Sequence, residues 1–196
     1  MSNAVLFSIV VVLVLFDQVT KLTVKGFSFL GFTHEGMYLG QSIPVLGDVV
    51  RWTFVENPGM AFGISFGAGK IVLTLLTFLI VGFLIWYLRA LKHAHNGVRF
   101  AVMLVLSGAI GNLIDRAFYG VLYGEAPLFY GKVVDFVQVD IPDITIFGEM
   151  WSHFPVFNVA DSCVSVGIVL LIIFSNAMPT PSMLRSTKPE NDHEQG

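Results

Sequence analysis

Residues 157–177 constrain this chain more than any other stretch. Only Asn158, Asp161, three serines and Asn176 are polar there, among aliphatic and aromatic residues with one cysteine and one glycine. A helix over this span would be roughly 30 Å long, the thickness of a bilayer's hydrocarbon core. Asp161 would lie about one turn inside it, with Asn158 three residues earlier on the same face, where an amide can orient a carboxylate. An ionisable side chain in such a place is expensive and points to function, with a partner to be found.

Three further apolar runs precede it. Residues 4–16 are apolar apart from Ser8 and continue into Asp17-Gln-Val-Thr-Lys21. The run is too long, and its start too poor in positive charge, for a cleaved signal peptide. Asp17 and Lys21 stand four apart with the acid first, the favoured order for a same-face pair. Helices are expected over about 4–24, 70–89, 99–117 and 156–177. With 55% hydrophobic and 13% charged residues in 196 and a mean hydropathy of +0.75, the composition is that of an all-α polytopic membrane protein, one domain over 1–178. A net charge of −3 with no basic, aromatic-interleaved stripe excludes a nucleic-acid partner. The lone Cys163 rules out an intramolecular disulfide, and the five scattered histidines give no metal-ligand spacing, so neither metal nor cofactor is expected.

Between the helices the pattern changes. Residues 26–66 are rich in glycine and aromatics, and Val49-Val-Arg-Trp-Thr-Phe-Val55 has the β-branched and aromatic character of a strand. A small β-rich segment near the membrane interface is expected there. It leads into Glu56-Asn-Pro-Gly59, whose Asn57 starts a turn. Arg89, Lys92 and Arg99 flank one short loop, whereas residues 118–155 read as a longer loop that carries one lysine and five acids. The positive-inside rule puts the basic loop and both termini in the cytoplasm and the acidic segment outside. Residues 179–196, with proline, serine and charges, read as a disordered cytoplasmic tail.

The third run repeats the device of the fourth. Asn112 and Asp115 are again three apart, Gly108 and Gly111 leave room for close helix approach, and Arg116, adjacent to Asp115, must find its partner elsewhere. Asp115, Asp135 and Asp161 thus gather toward one face of the membrane, and spacing alone leaves open which two meet. Two adjoining carboxylates share a proton, so that one can act as a base toward water and the other as an acid toward a carbonyl. The residues alone allow an aspartic peptidase, a small proton-coupled transporter with an intramembrane carboxylate network, or a structural network paired with Lys21, Arg116 and Lys132. A serine protease lacks a helical serine facing His153.

Four blocks taken together resemble the lipoprotein signal peptidase (signal peptidase II) family. They are Asp17-x-x-x-Lys21; Glu56-Asn-Pro-Gly-x-Ala-Phe-Gly63; Gly108-Ala-x-Gly-Asn-x-x-Asp-Arg116 with Val133-Val-Asp-Phe136; and Phe157-Asn-x-Ala-Asp161. The resemblance implies a four-helix aspartic endopeptidase of the bacterial inner membrane with its site toward the periplasm. Its substrates would be diacylglyceryl-modified prolipoproteins, cut on the N-terminal side of the lipid-modified cysteine, with membrane lipids as the other partners and a monomeric enzyme. Motif by motif, it implies Asp135 and Asp161 as the catalytic pair. Asp17, Lys21, Asn57, Asn112, Asp115, Arg116 and Asn158 would be supporting or substrate-binding residues. Residues 119–130 and 140–153, on either side of Asp135, are longer than the family pattern.

Overall fold

In the computed structural model the described residues are 1–59, 69–146 and 149–179. The end of the turn block, residues 60–63, the close of the expected β-rich segment and nearly all of the expected tail lie outside them.

Four helices form a bundle centred on α3 (Asn96–Ile114), which packs against α1 (Asn3–Lys25), α2 (Gly69–Ala90) and α5 (Val159–Ile173). The apolar helical stretches Asn3–Lys25, Gly69–His93 and Asn96–Leu122 are long enough to cross a membrane. At 15 residues α5 is shorter than expected, about 22 Å. Its start is fixed by an N-cap at Asn158, and Phe174 breaks off its end before a 3-10 turn. Most of α2 presents bare apolar side chains outward, with only Thr74, Val81 and Leu88 buried, as lipid-facing helices do.

Glycine sets the closest approach. A methyl group at Gly108 would stand 2.2 Å from the Ala160 carbonyl oxygen of α5, and one at Gly111 would stand 2.6 Å from Oδ2 of Asp17. The two glycines read from sequence as contact points therefore seat α5 and α1 against α3. Beyond Ile114 the helix widens into a π segment, Asp115–Tyr119, before the short α4 (Gly120–Leu122). Such π turns shift side chains off the regular helical register and are frequent at functional sites.

The expectation of an all-α protein is too narrow, because among the described residues six strands in two sheets cap one end of the bundle. β1 (Gly26–Phe29) and β2 (Phe32–Glu35) form a separate hairpin. β3 (Ser42–Leu46), β4 (Val50–Asn57), β5 (Val133–Ile146) and β6 (Glu149–His153) form an antiparallel sheet in that order. The strand read at 49–55 is β4. The larger surprise is β5, since residues 118–155 read as a loop. Its first residues, Val-Val-Asp-Phe-Val, form a β-branched run buried on both faces, which lacks the polar alternation that marks a half-exposed strand. The two unexpectedly long segments resolve into a tight turn, closed by Phe129 N–H to the Ala117 carbonyl and Gly131 N–H to the Arg116 carbonyl, and into the β5–β6 hairpin.

A small core of Val24, Phe54, Tyr119, Val134 and Phe136 joins the sheet to the bundle, with Trp52 edge-on to Phe136 at 5.8 Å. Because side chains alternate along a strand, Val134 and Phe136 in that core turn Asp135 to the opposite face. Val55 pairs with Asp135 and Asn57 with Val133, so Asn57 shares the face of Asp135.

Candidate active site

Asn158 joins the pieces. Phe157 bridges Val137 of β5, donating N–H to the Val137 carbonyl and accepting from the amides of Phe136 and Val137. This brings the start of α5 against the strand that carries Asp135. Asn158 then caps α5: its Oδ1 accepts from the Asp161 amide at 2.9 Å, and the Asp161 carboxylate accepts from the Asn158 amide at 3.3 Å. The reciprocal box fixes the Asp161 side chain at the helix N-terminus. The Asn158 side-chain amide donates to Asp135 Oδ1 at 2.7 Å and to Asn112 Oδ1 at 3.1 Å. Asn112 in turn donates to Asp161 Oδ1 at 2.7 Å. Asp135 and Asp161 are therefore held by two buried amides that also bond each other.

Asp115 is placed elsewhere. Lys21 Nζ lies 2.8 Å from Asp115 Oδ2, 2.9 Å from Asp17 Oδ2 and 3.0 Å from Asn112 Oδ1. Asp115 also accepts from the Val134 amide at 3.1 Å, tying the π segment to β5. Asp17 accepts from the Ala160 amide at 2.9 Å, tying α1 to α5. Asp135 and Asp161 thus share one hydrogen-bonded unit, while Asp115 joins Asp17 and Lys21 in a buried ionic triad. Through Asn112 that triad touches the first pair. Asn57 hydrogen-bonds Asp135 as well, and its Oδ1 accepts from the Gly59 amide, closing the turn read from Asn-Pro-Gly.

Arg116 is half-buried. Its Nη1 makes one long contact, 3.5 Å to the Asn112 carbonyl. Its Nε, buried, has no hydrogen-bond partner among the described residues. Its charge acts on Asp115, Asp161 and Asp135.

Two contributors escaped the sequence reading. Gln18 donates to Asp115, to Asp17 and to the Gly111 carbonyl, and accepts from the Tyr119 hydroxyl at 3.1 Å. Its place beside Asp17 was the only signal, since a glutamine near the end of a membrane helix reads as interfacial. Glu56 binds Lys25 and, at 2.5 Å, Lys132. Burial opposes its ionisation, but these two ammonium groups prevail and hold its carboxyl below the usual range. It clamps β4 to the end of α1.

Burial first, and then the Asp161 charge, push the Asp135 carboxyl up to about 7. Below about pH 4 folded and unfolded chains both carry this proton. Between about 4 and 7 the unfolded chain releases it and the folded chain keeps it. Stability therefore falls with rising pH over that window, by at most about 1.4 kcal/mol per unit, and levels off above it. Asp135→Asn removes the effect. The melting temperature of Asp135→Asn minus that of the parent should rise from pH 4 to 7 in detergent; a flat or falling difference would show that Asp135 is not a buried acid.

A groove of about 490 Å³ runs beside Asp161, lined by Phe154, Pro155, Phe157, Ser162, Ser165 and Val166. It sets an apolar surface along α5 next to a carboxylate. A half-buried acid at the groove, a buried acid of raised pKa tied to it through two amides, and a guanidinium whose Nε has no partner among the described residues make an arrangement suited to adding water to a carbonyl.

Comparison with known proteins gives a consistent picture. The model of the family described as signal peptidase (SPase) II matches residues 9–177. The chain is 34% identical over 175 residues to a lipoprotein signal peptidase of Pelodictyon phaeoclathratiforme, covering 88% of this chain and 90% of that one. It is 35% identical over 198 residues to a lipoprotein signal peptidase of Porphyromonas gingivalis, covering 88% and 83%. A bacterial membrane enzyme solved by the in meso method at 1.9 Å superposes with a TM-score of 0.63 at 31% identity, covering 91% of this chain and 96% of that one.

Proposed function

The chain belongs to the signal peptidase II family, a family of bacterial membrane peptidases of lipoprotein processing, and from that premise we propose that it is an aspartic endopeptidase acting on diacylglyceryl-modified prolipoproteins. It cleaves on the N-terminal side of the lipid-modified cysteine, with its site at the periplasmic end of the bundle and both termini in the cytoplasm. The observation that carries the aspartic assignment is the pair of amides, Asn158 and Asn112, that hold Asp135 and Asp161 in one hydrogen-bonded unit.

The steps follow from the placement of the two carboxylates, Asp161 at the groove and Asp135 buried behind two shared amides. Asp135, elevated to about 7, carries the proton shared by the two acids. Asp161, at the groove, takes a proton from water as the water oxygen attacks the scissile carbonyl carbon. Asp135 gives its proton to the carbonyl oxygen, leaving a neutral tetrahedral diol. Collapse of the diol breaks the C–N bond, the departing amine takes the proton held by Asp161, and the released acid returns a proton to Asp135. Arg116, whose Nε has no partner among the described residues, supports the substrate backbone. Lys21, Asp17 and Asp115 hold the frame.

A proton-coupled transporter would place its acids on broken helices near the bilayer midplane. Here Asp161 sits in the first turn of an unbroken helix, and Asp135 sits on a strand.

The acyl chains of the substrate lie in lipid before binding, so moving them to a protein groove gains far less than the about 0.8 kcal/mol per CH₂ of transfer from water. Their role is to fix the depth and register of the cysteine relative to the two carboxylates, an orientation effect. Purified protein should therefore shorten a diacylglyceryl prolipoprotein and leave the unlipidated form nearly uncut even at saturation. Equal saturating rates with only KM differing would make the lipid an affinity tag, and no cleavage of the lipidated form would overturn the assignment.

A further inference from the structure

The β1–β2 hairpin takes no part in the chemistry above, and its pattern is unusual. It leaves α1 directly at Gly26, with no linker. Phe27 pairs with His34, and Phe29 with Phe32, whereas Ser28 pairs with Thr33. Residues directly opposite each other share a face and neighbours alternate, so one face is Phe27, Phe29, Phe32 and His34 and the other is Ser28 and Thr33. The Ser28 and Thr33 hydroxyls lie 3.2 Å apart on the polar face. At the tip Leu30 and Gly31 both have positive φ, 50° and 83°, as a two-residue hairpin turn requires. Leu30 is 81% exposed, Phe32 76% and Phe29 68%.

A lone two-stranded hairpin is barely stable in water, and this one bares its aromatic face. Polar contacts hold it in position: a His34 ring nitrogen lies 2.9 Å from the Thr23 carbonyl oxygen, and the Tyr123 hydroxyl donates to the Gly26 carbonyl at 2.6 Å. Between the hairpin and the bundle lies a groove of about 720 Å³, lined by Leu22, Phe27, Ser28, Phe29, Phe32, Leu122 and Tyr123, with no charged side chain. On α1, Leu15, Val19 and Leu22 follow one another at helical spacing on one face, and Leu15 and Val19 are exposed in the membrane-crossing part. The lipid-facing stripe of α1 thus runs without a break into the groove.

We propose that the β1–β2 hairpin is a membrane-interface anchor whose aromatic face, with the groove beside it, holds phospholipid acyl chains of the leaflet at the sheet end. Continuity with the lipid-facing side of α1 selects lipid as the occupant, and the face that bears Thr33 is left to water. The inference requires only that the helices span a bilayer and stands independently of the cleavage reaction.

Neighbouring residues on opposite faces supply the test. In a Cys163→Ser background, Phe32→Cys and Thr33→Cys are each labelled with nitrobenzoxadiazole, and the full chain is placed in nanodiscs of phosphatidylethanolamine and phosphatidylglycerol, one protein per disc. Doxyl groups on the acyl chains should quench the label at 32 several-fold more than that at 33, and aqueous iodide should show the reverse order. Equal iodide quenching at the two positions would overturn the proposal. So would a label at 32 shielded from iodide but not quenched by doxyl lipid, or one shielded only when several copies share a disc, which would assign the face to a second copy of this chain.

Discussion

Lys21→Met is expected to destabilise the protein by about 3–5 kcal/mol, the range for removing one member of a buried ion pair. The ammonium group is fully buried, with two carboxylates and an amide oxygen within 3.0 Å. Methionine matches the stem in length but leaves Asp17 and Asp115 facing each other without a cation. Neither can turn to water, because Asp17 receives the Ala160 amide and Asp115 receives the Val134 amide. The ties from α1 to α5 and from the π segment to β5 then weaken together. Asn112 also loses a donor to its Oδ1, which loosens the amide that holds Asp161. Thermal unfolding in detergent should show a drop on the order of 10 °C, together with loss of cleavage. Lys92→Met, at an exposed lysine of the opposite end, should leave both unchanged. An unshifted melting curve for Lys21→Met would mean that the triad does not hold the bundle.

The helices were legible because membrane spans announce themselves by length and composition, and their expected limits fall within a few residues of Asn3–Lys25 and Gly69–Ala90. The end of α3 was less so. A π segment has no sequence signature of its own, and residues 115–119 read as ordinary helix. For α5 the hydropathy ran on in both directions while the capping box at Asn158 and the break at Phe174 set the ends. Capping chemistry overrode apolarity. Strand β5 was hidden for a related reason: a strand buried on both faces loses the alternation by which sequence reveals strands, and its partner β4 lies about 80 residues earlier in the chain.

Within the site, the i, i+3 pairing of Asn158 with Asp161 was readable because both lie on one helix, and so was Asp17 with Lys21. What local spacing left open was the long-range partnering of Asp115, Asp135 and Asp161. The resemblance implies Asp135 and Asp161, and in the fold Asp115 is bonded to Lys21 and the Val134 amide. The spacing of Asn112 and Asp115, three apart on one helix, suggests that the amide orients that acid. The Asn112 side chain instead bonds Asp161 and Asn158 across the helix interface, a contact that needs the close approach at Gly108 and Gly111.

The central claim is that Asp135 and Asp161 do the chemistry and Asp115 holds the frame. The most direct measurement is the saturating rate of cleavage of one diacylglyceryl prolipoprotein by Asp135→Asn, Asp161→Asn and Asp115→Asn, with the melting temperature of each. An amide can neither share the proton nor take one from water, so Asp135→Asn and Asp161→Asn should each lose a factor of about 10²–10⁴ or more while remaining folded. Asp115→Asn keeps a hydrogen-bonding side chain and should retain measurable turnover at a lowered melting temperature. Complete inactivity of Asp115→Asn at parental stability, alongside substantial turnover by Asp135→Asn, would contradict the assignment and make Asp115 the partner of Asp161.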